Sequence, residues 1–194
     1  MDTSASSSSG SNGAAAAHAA SARVHHLPGH PLPFLASGGP LCCSGADEGG
    51  RVDLFARSLR RPLLLFLHPH VQATGDCAAA QHLRAVAAAR PAWLRAEPQL
   101  EVFGVSTQPE QSLRTAAAAL RLPYALLSDA EERAFVAPLE LPCDAGGQLS
   151  SVTLLLRDGQ VTRVDLPELE AQAEALQRRT LALLKPDAPP EQTQ

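Results

Sequence analysis

Five consecutive apolar residues, Leu63-Leu64-Leu65-Phe66-Leu67, stand between Pro62 and Pro69, and they constrain the fold more than any other stretch of the chain. A run of strand length without polar alternation fits a strand covered on both faces, as in the middle of an α/β sheet. Residues 70–76 are turn-like, and residues 78–90 carry strong helix formers with neither Gly nor Pro until Pro91, which predicts a helix beginning at or just after Cys77. Residues 100–106 (LEVFGVS) predict the next strand, 109–120 a helix and 124–127 a short strand. Ser128 or Asp129 then caps a helix expected at 131–137, whose acidic first turn suits the helix dipole. Strands expected at 152–156 and 161–164 flank Asp158-Gly159, a pair that supplies the positive φ angles of a tight hairpin turn. An amphipathic helix at 169–184 ends before Pro186. Upstream, residues 32–40 read as an irregular lead-in, and residues 51–54 as a short strand or turn. The order of elements predicts an α/β fold with a central mixed sheet flanked by helices.

The ends have a different composition. Residues 1–28 are mostly Ser, Ala, Gly and Asn, too poor in large apolar side chains to offset the entropy of ordering, and read as a disordered tail. Their Ser/Ala richness, with Asp2 the sole acid and Arg23 present, also suits an organellar transit peptide, whereas a secretory signal is not indicated. Residues 186–194 read as a polar tail, leaving one domain at 29–185. A hydrophobic share of 45% is enough for one core of ordinary size. The net charge of -4, with no Lys/Arg block seen, argues against nucleic acid or an anionic membrane as partner. No apolar run approaches the roughly 20 residues of a membrane span.

Four cysteines without C-x-x-C or Cys/His ligand spacing give little support to a disulfide scaffold or a zinc site, and fit thiols used singly in the cytoplasm. Adjacent Cys42-Cys43 would strain a mutual disulfide and read as incidental thiols. His68 and His70 flank Pro69, but no third ligand recurs at regular spacing. They read as solvated loop histidines, and neither a metal nor a cofactor is expected.

Several segments together resemble a known family. Leu32-Pro33, the apolar strand ending in His68-Pro69, Thr74-Gly75-Asp76-Cys77, Val102-Phe103-Gly104-Val105-Ser106-Thr107-Gln108, Leu122-Pro123-Tyr124-Ala125-Leu126-Leu127-Ser128-Asp129, and Val152-Thr153-Leu154 before Asp158-Gly159 are similar to peroxiredoxins of the alkyl hydroperoxide reductase and bacterioferritin-comigratory group. The likeness runs from about residue 32 to 184. It implies a thioredoxin-like fold and a thiol-dependent peroxidase that reduces hydrogen peroxide or organic hydroperoxides. On that reading Cys77 attacks the peroxide as a thiolate, the Thr74 hydroxyl bonds thiolate and peroxide, and Pro69, one position off the usual spacing, shields the site. The sulfenic acid formed is recycled by a thioredoxin- or glutathione-type reductant, with Cys143 a candidate resolving cysteine, and a homodimer is left open.

Two departures from the family pattern point the other way. The family's Arg before the strand at 152–154 is replaced by Ser150-Ser151, with Arg157 or Arg84 as conceivable substitutes. An ungapped match through Gly75 to Leu83-Arg84 sets Asp76, not Cys77, on the peroxidatic position, and both registers stay open. With the lengthened region 90–99, these features favour a second reading: a degenerate peroxiredoxin-like domain that has lost catalysis and acts as a binding or regulatory module.

Overall fold

The computed structural model describes residues 24–33, 41–43, 51–72, 76–131, 133–166, 169 and 172–185. In chain order they form β1 (Leu41–Cys43), β2 (Arg51–Val52), α1 (Leu54–Ser58), β3 (Leu63–Leu67), α2 (Ala78–Ala96), β4 (Glu101–Ser106), α3 (Glu110–Leu120), β5 (Ala125–Ser128), β6 (Val152–Arg157), β7 (Gln160–Asp165) and α4 (Ala173–Leu184). Among the described residues the strands make one mixed sheet in the order β2-β1-β5-β4-β3-β6-β7. The apolar run is β3, hydrogen-bonded on both sides: parallel to β4, with Leu65 opposite Phe103, and antiparallel to β6, with Leu65 opposite Leu154.

All five β3 side chains are buried, and their alternation feeds two core layers. Leu63, Leu65 and Leu67 pack with Leu54, Phe135, Leu139 and Leu154 on one face. Leu64 and Phe66 pack on the other with Leu83, Val86 and Trp93 of α2, Leu113 of α3 and Leu176 of α4. Burying each such side chain stabilises by about 1.5–3 kcal/mol, which explains why the run has no polar member. No helix among the described residues is long and apolar enough to cross a membrane.

Several elements differ from the sequence expectation. Val24 and Leu27, assigned to the N-terminal tail, are buried in the first core layer, and the Leu27 N–H donates to the Val24 carbonyl at 3.1 Å; one turn thus aims both side chains inward. The rest of the expected tail, residues 1–23, and residues 186–194 lie outside the described residues. Helix α2 continues through Pro91 to Ala96. Pro91 is exposed, whereas Trp93 is fully buried with its ring stacked on Phe66 at 5.4 Å, so burial of the last turns outweighs the missing proline N–H.

The helix expected at 131–137 is a series of turns at 134–140. Arg133 and Glu140, at φ 48° and 49°, break helical backbone at each end of it. Asp129 is its cap, its carboxylate accepting the Val136 N–H at 2.7 Å and the Phe135 N–H at 3.2 Å. The last helix begins at Ala173 instead of 169, since Gln172 is extended at φ -94° and ψ 112°. The hairpin turn forms as expected, with Asp158 and Gly159 at φ 51° and 76°. Gly159 is required there, because a Cβ would lie 2.8 Å from Phe55 Cε2.

Candidate functional site

Cys77 lies where the chain returns from the carboxyl end of β3 to enter α2. It is the N-cap of that 19-residue helix, extended at φ -83° and ψ 158°, and its side chain caps no N–H. The first-turn N–H groups and the positive end of the helix dipole lie at this residue. The residue is half-buried and packs against the core layer shared by α2, α3 and α4. Asp76, the alternative in the sequence register, is exposed and precedes the cap. Thr74 lies outside the described residues. Pro69 is half-buried at the end of β3, its carbonyl accepting from His68 Nδ1 at 2.8 Å.

The loop that approaches Cys77 is fastened along its first half. The Gln108 side chain, buried beyond the end of β4, accepts the Val71 N–H at 2.7 Å and donates to the Val71 carbonyl at 3.0 Å. Ser128 Oγ donates to the Gln108 carbonyl at 2.6 Å, tying β5 into the same knot. The His70 N–H donates to Gln148 Oε1 at 3.1 Å, and Thr107 Oγ1 donates to the Gly147 carbonyl at 3.1 Å. Ser106, Thr107 and Gln108 stand at the carboxyl edge of the sheet, where open α/β sheets bind ligands. Gln108 instead spends its amide on the neighbouring loop.

The two histidines of this loop separate. His70 is exposed, but His68 is fully buried on the α2 side of the sheet, which corrects its reading as a solvated residue. Its Nδ1–H faces the Pro69 carbonyl, and Nε2 is buried without a hydrogen-bond partner among the described residues. Burial holds its pKa down at about 4, against the opposing Pro69 hydrogen bond and helped by repulsion from His82 and His70. Among the described residues no three His, Cys, Asp or Glu side chains group as a metal site needs.

Neither arginine offered as a substitute stands beside the thiol. Leu63 of β3 is opposite Leu156 of β6, and Leu67 is opposite Val152, so Arg157 falls at the start of β3 and Ser150-Ser151 at its end. Five strand residues at ~3.3 Å each put about 17 Å between those ends. Arg157 there faces Glu97, Nη2 to Oε2 at 3.4 Å. Arg84 is exposed on α2, two turns or ~10 Å along the axis from Cys77. Ser151 Oγ is buried without a hydrogen-bond partner among the described residues, and the Ser150 N–H donates to the Pro142 carbonyl at 2.8 Å.

Solved structures were found that share this arrangement of strands and helices. A cysteine-to-serine mutant of Xanthomonas campestris peroxiredoxin Q superimposes with a TM-score of 0.62 at 21% identity, over 80% of this chain and 98% of that one. The bacterioferritin comigratory protein of the same organism, described for alkyl peroxide reduction, gives 0.61 at 20%, over 80% and 98%. Peroxidoxin BcpB from Mycobacterium tuberculosis gives 0.55 at 20%, over 81% and 99%. The chain has the peroxiredoxin fold. No protein-family model and no curated protein sequence matches it.

Within this peroxiredoxin fold the second candidate cysteine belongs to the other core layer. Cys143 is half-buried against the Leu63, Leu65 and Leu67 face, whereas Cys77 packs on the α2 face, and both thiols are free. Cys143 Sγ donates to the Leu141 carbonyl at 3.6 Å. Burial pushes its thiol pKa up, with Arg133 opposing and Asp144 and Asp129 reinforcing the shift. Arg133 itself was missed in the sequence. Its Nη2 donates to the Gly147 carbonyl at 2.8 Å, the acceptor that Thr107 also uses, which brings a guanidinium to the carboxyl edge. Its only sequence signal was adjacency to the Leu127-Ser128-Asp129 segment.

Proposed function

We propose that the chain is a thiol-dependent peroxidase for hydrogen peroxide or small organic hydroperoxides, with Cys77 as the peroxidatic residue. The observation that carries this reading is the half-buried Cys77 at the N-cap of α2, at the carboxyl end of a central strand. As a thiolate, its sulfur attacks one peroxide oxygen. An S–O bond forms, the O–O bond breaks, and the departing hydroxide or alkoxide takes up a proton, leaving a sulfenic acid. A reductant thiol then displaces water to give a mixed disulfide, which a second thiol resolves. The placement of Cys143 against the opposite core layer supports recycling by an external thioredoxin- or glutathione-type thiol over an internal disulfide.

With Ser150-Ser151 at the end of β3 and Arg157 turned to Glu97, neither position supplies the guanidinium that the resemblance implies beside the peroxide. The loss of one such donor slows a reaction roughly 10²–10³-fold, so slow turnover is expected. The same observation favours the second reading, a noncatalytic binding or regulatory module.

A peroxidase assay coupled to thioredoxin or glutathione recycling, run on wild type and Cys77→Ser, separates the two. Turnover that disappears in Cys77→Ser, with a sulfenic acid trapped on Cys77, is the expected result. Absence of both from folded wild type, across several peroxides and reductants, leaves the binding module.

A further inference from the structure

Beyond Leu67 the chain leaves the sheet and runs to Cys77, the N-cap of α2, so the way that segment is held decides where the sulfur sits. The His68 N–H still donates to the Val105 carbonyl of β4, at 3.0 Å. From there the backbone is held by side chains. Gln148 Oε1 accepts the His70 N–H at 3.1 Å, and Gln108 engages both backbone groups of Val71, at 2.7 and 3.0 Å.

Gln108 is itself fixed from behind. Ser128 Oγ donates to its carbonyl at 2.6 Å, and the Asp129 N–H donates to the Ser106 carbonyl at 2.9 Å, which joins the end of β5 to the end of β4. Gln108 and Val71 are only 8% and 4% exposed, so water competes little for the two bonds between them. The Val71 side chain belongs to the core layer that also holds Ala79 and Ala80 of the first turn of α2, and Cys77 packs against that layer. A hold on the Val71 backbone therefore reaches the surface on which the thiol rests. Making both bonds takes a side chain that ends in one acceptor and one donor. A carboxylate only accepts, and a thioether is a weak acceptor at best.

We propose that Gln108 is the positioning residue of the thiol site, acting through Val71 to set where Cys77 meets a peroxide. The role rests on Cys77 being the peroxidatic thiol. Attack on the O–O bond needs the sulfur aligned with it, and a misplacement of about 1 Å slows such a step about 10²-fold. Alkylation by iodoacetamide asks only for an accessible thiolate and tolerates the same displacement better.

The test compares wild type, Gln108→Met and Gln108→Glu as full chains. From pH 8 to pH 5 it follows the rate at which hydrogen peroxide converts Cys77 to a sulfenic acid, and the rate at which iodoacetamide alkylates it. Gln108→Met is expected to slow the peroxide reaction by about tenfold or more, and alkylation by a smaller factor. Gln108→Glu is expected to be as slow at pH 8, where its carboxylate opposes the Val71 carbonyl, and to return toward the wild-type rate as the pH falls. Burial raises a carboxyl pKa, and a protonated carboxyl accepts and donates as the amide does. A general loss of stability would not produce that return. Equal slowing of both reactions, a Gln108→Glu deficit that is the same at every pH, or wild-type peroxide reactivity in Gln108→Met would each overturn the role of Gln108 while leaving the peroxidase reading intact. If Gln108→Met does not fold, the pH profile of Gln108→Glu decides alone. A wild-type Cys77 that peroxide leaves unoxidised would overturn the peroxidase reading and this role together.

Discussion

Gln108 grips Val71 with both ends of its amide, accepting the Val71 N–H at 2.7 Å and donating to the Val71 carbonyl at 3.0 Å across 37 residues of chain. The pair reproduces one rung of a β-ladder with a side chain, in a loop that pairs with no strand among the described residues. Gln108→Ala leaves a buried N–H and a buried carbonyl unpaired, which costs about 1–3 kcal/mol. Urea unfolding should show this loss, and iodoacetamide labelling of Cys77 should change in rate, because the gripped loop leads directly to it. An unchanged unfolding midpoint would show that water replaces the clamp without cost.

His68 makes the fold sensitive to mild acid. Its folded pKa is about 4 against an ordinary 6.5, so between those values the unfolded chain binds the proton that the folded chain refuses. Its contribution is fully present above pH 6.5 and is lost as the pH falls to 4, amounting to ~3 kcal/mol. His68→Gln removes the titrating group, and the stability of that variant should be flatter across pH 4–6.5. Denaturant unfolding at several pH values checks it; parallel slopes in wild type and variant would contradict the assignment.

Cys143 should be the slower thiol to alkylate. Burial pushes its pKa up, which lowers the thiolate fraction near neutral pH. Mass spectrometry after iodoacetamide at pH 8 should find Cys143 modified more slowly than Cys77. If Cys77 turns over peroxide with an external reductant, Cys143→Ser should keep that turnover. Loss of recycling in Cys143→Ser, with a Cys77–Cys143 disulfide in oxidised wild type, would assign it the resolving role instead.

Arg121 closes α3 in the left-handed region, at φ 52° and ψ 48°, where the Leu122 N–H reaches back to the Ala117 carbonyl at 3.1 Å. An L side chain there is strained by roughly 1–2 kcal/mol, and glycine relieves this at some cost in unfolded-state entropy. Arg121→Gly is expected to stabilise by about 0.5–1 kcal/mol, read as a higher thermal midpoint. A lower midpoint would mean that the exposed Arg121 side chain contributes more than its backbone costs.

Much of the fold and part of the site are written locally. The unbroken apolar run at 63–67 fits a strand covered on both faces, and Asp158-Gly159 could turn a two-residue hairpin because both positions tolerate positive φ. The helix formers after Cys77 placed that thiol at a helix start. Each of these rests on the preference of a few adjacent residues, which a sequence displays directly. Tertiary structure decided what depends on partners far along the chain. Trp93 stacking on Phe66 carried α2 through Pro91, and Val24 and Leu27 joined a core that their neighbours gave no sign of reaching. The antiparallel register of β6 on β3 sent Arg157 to one end of the sheet and Ser150-Ser151 to the other, while Glu101 gathered Arg57 and Arg61 from more than forty and exactly forty residues away in sequence. Such contacts are set by strand order and packing across the sheet, and no window of adjacent residues contains them.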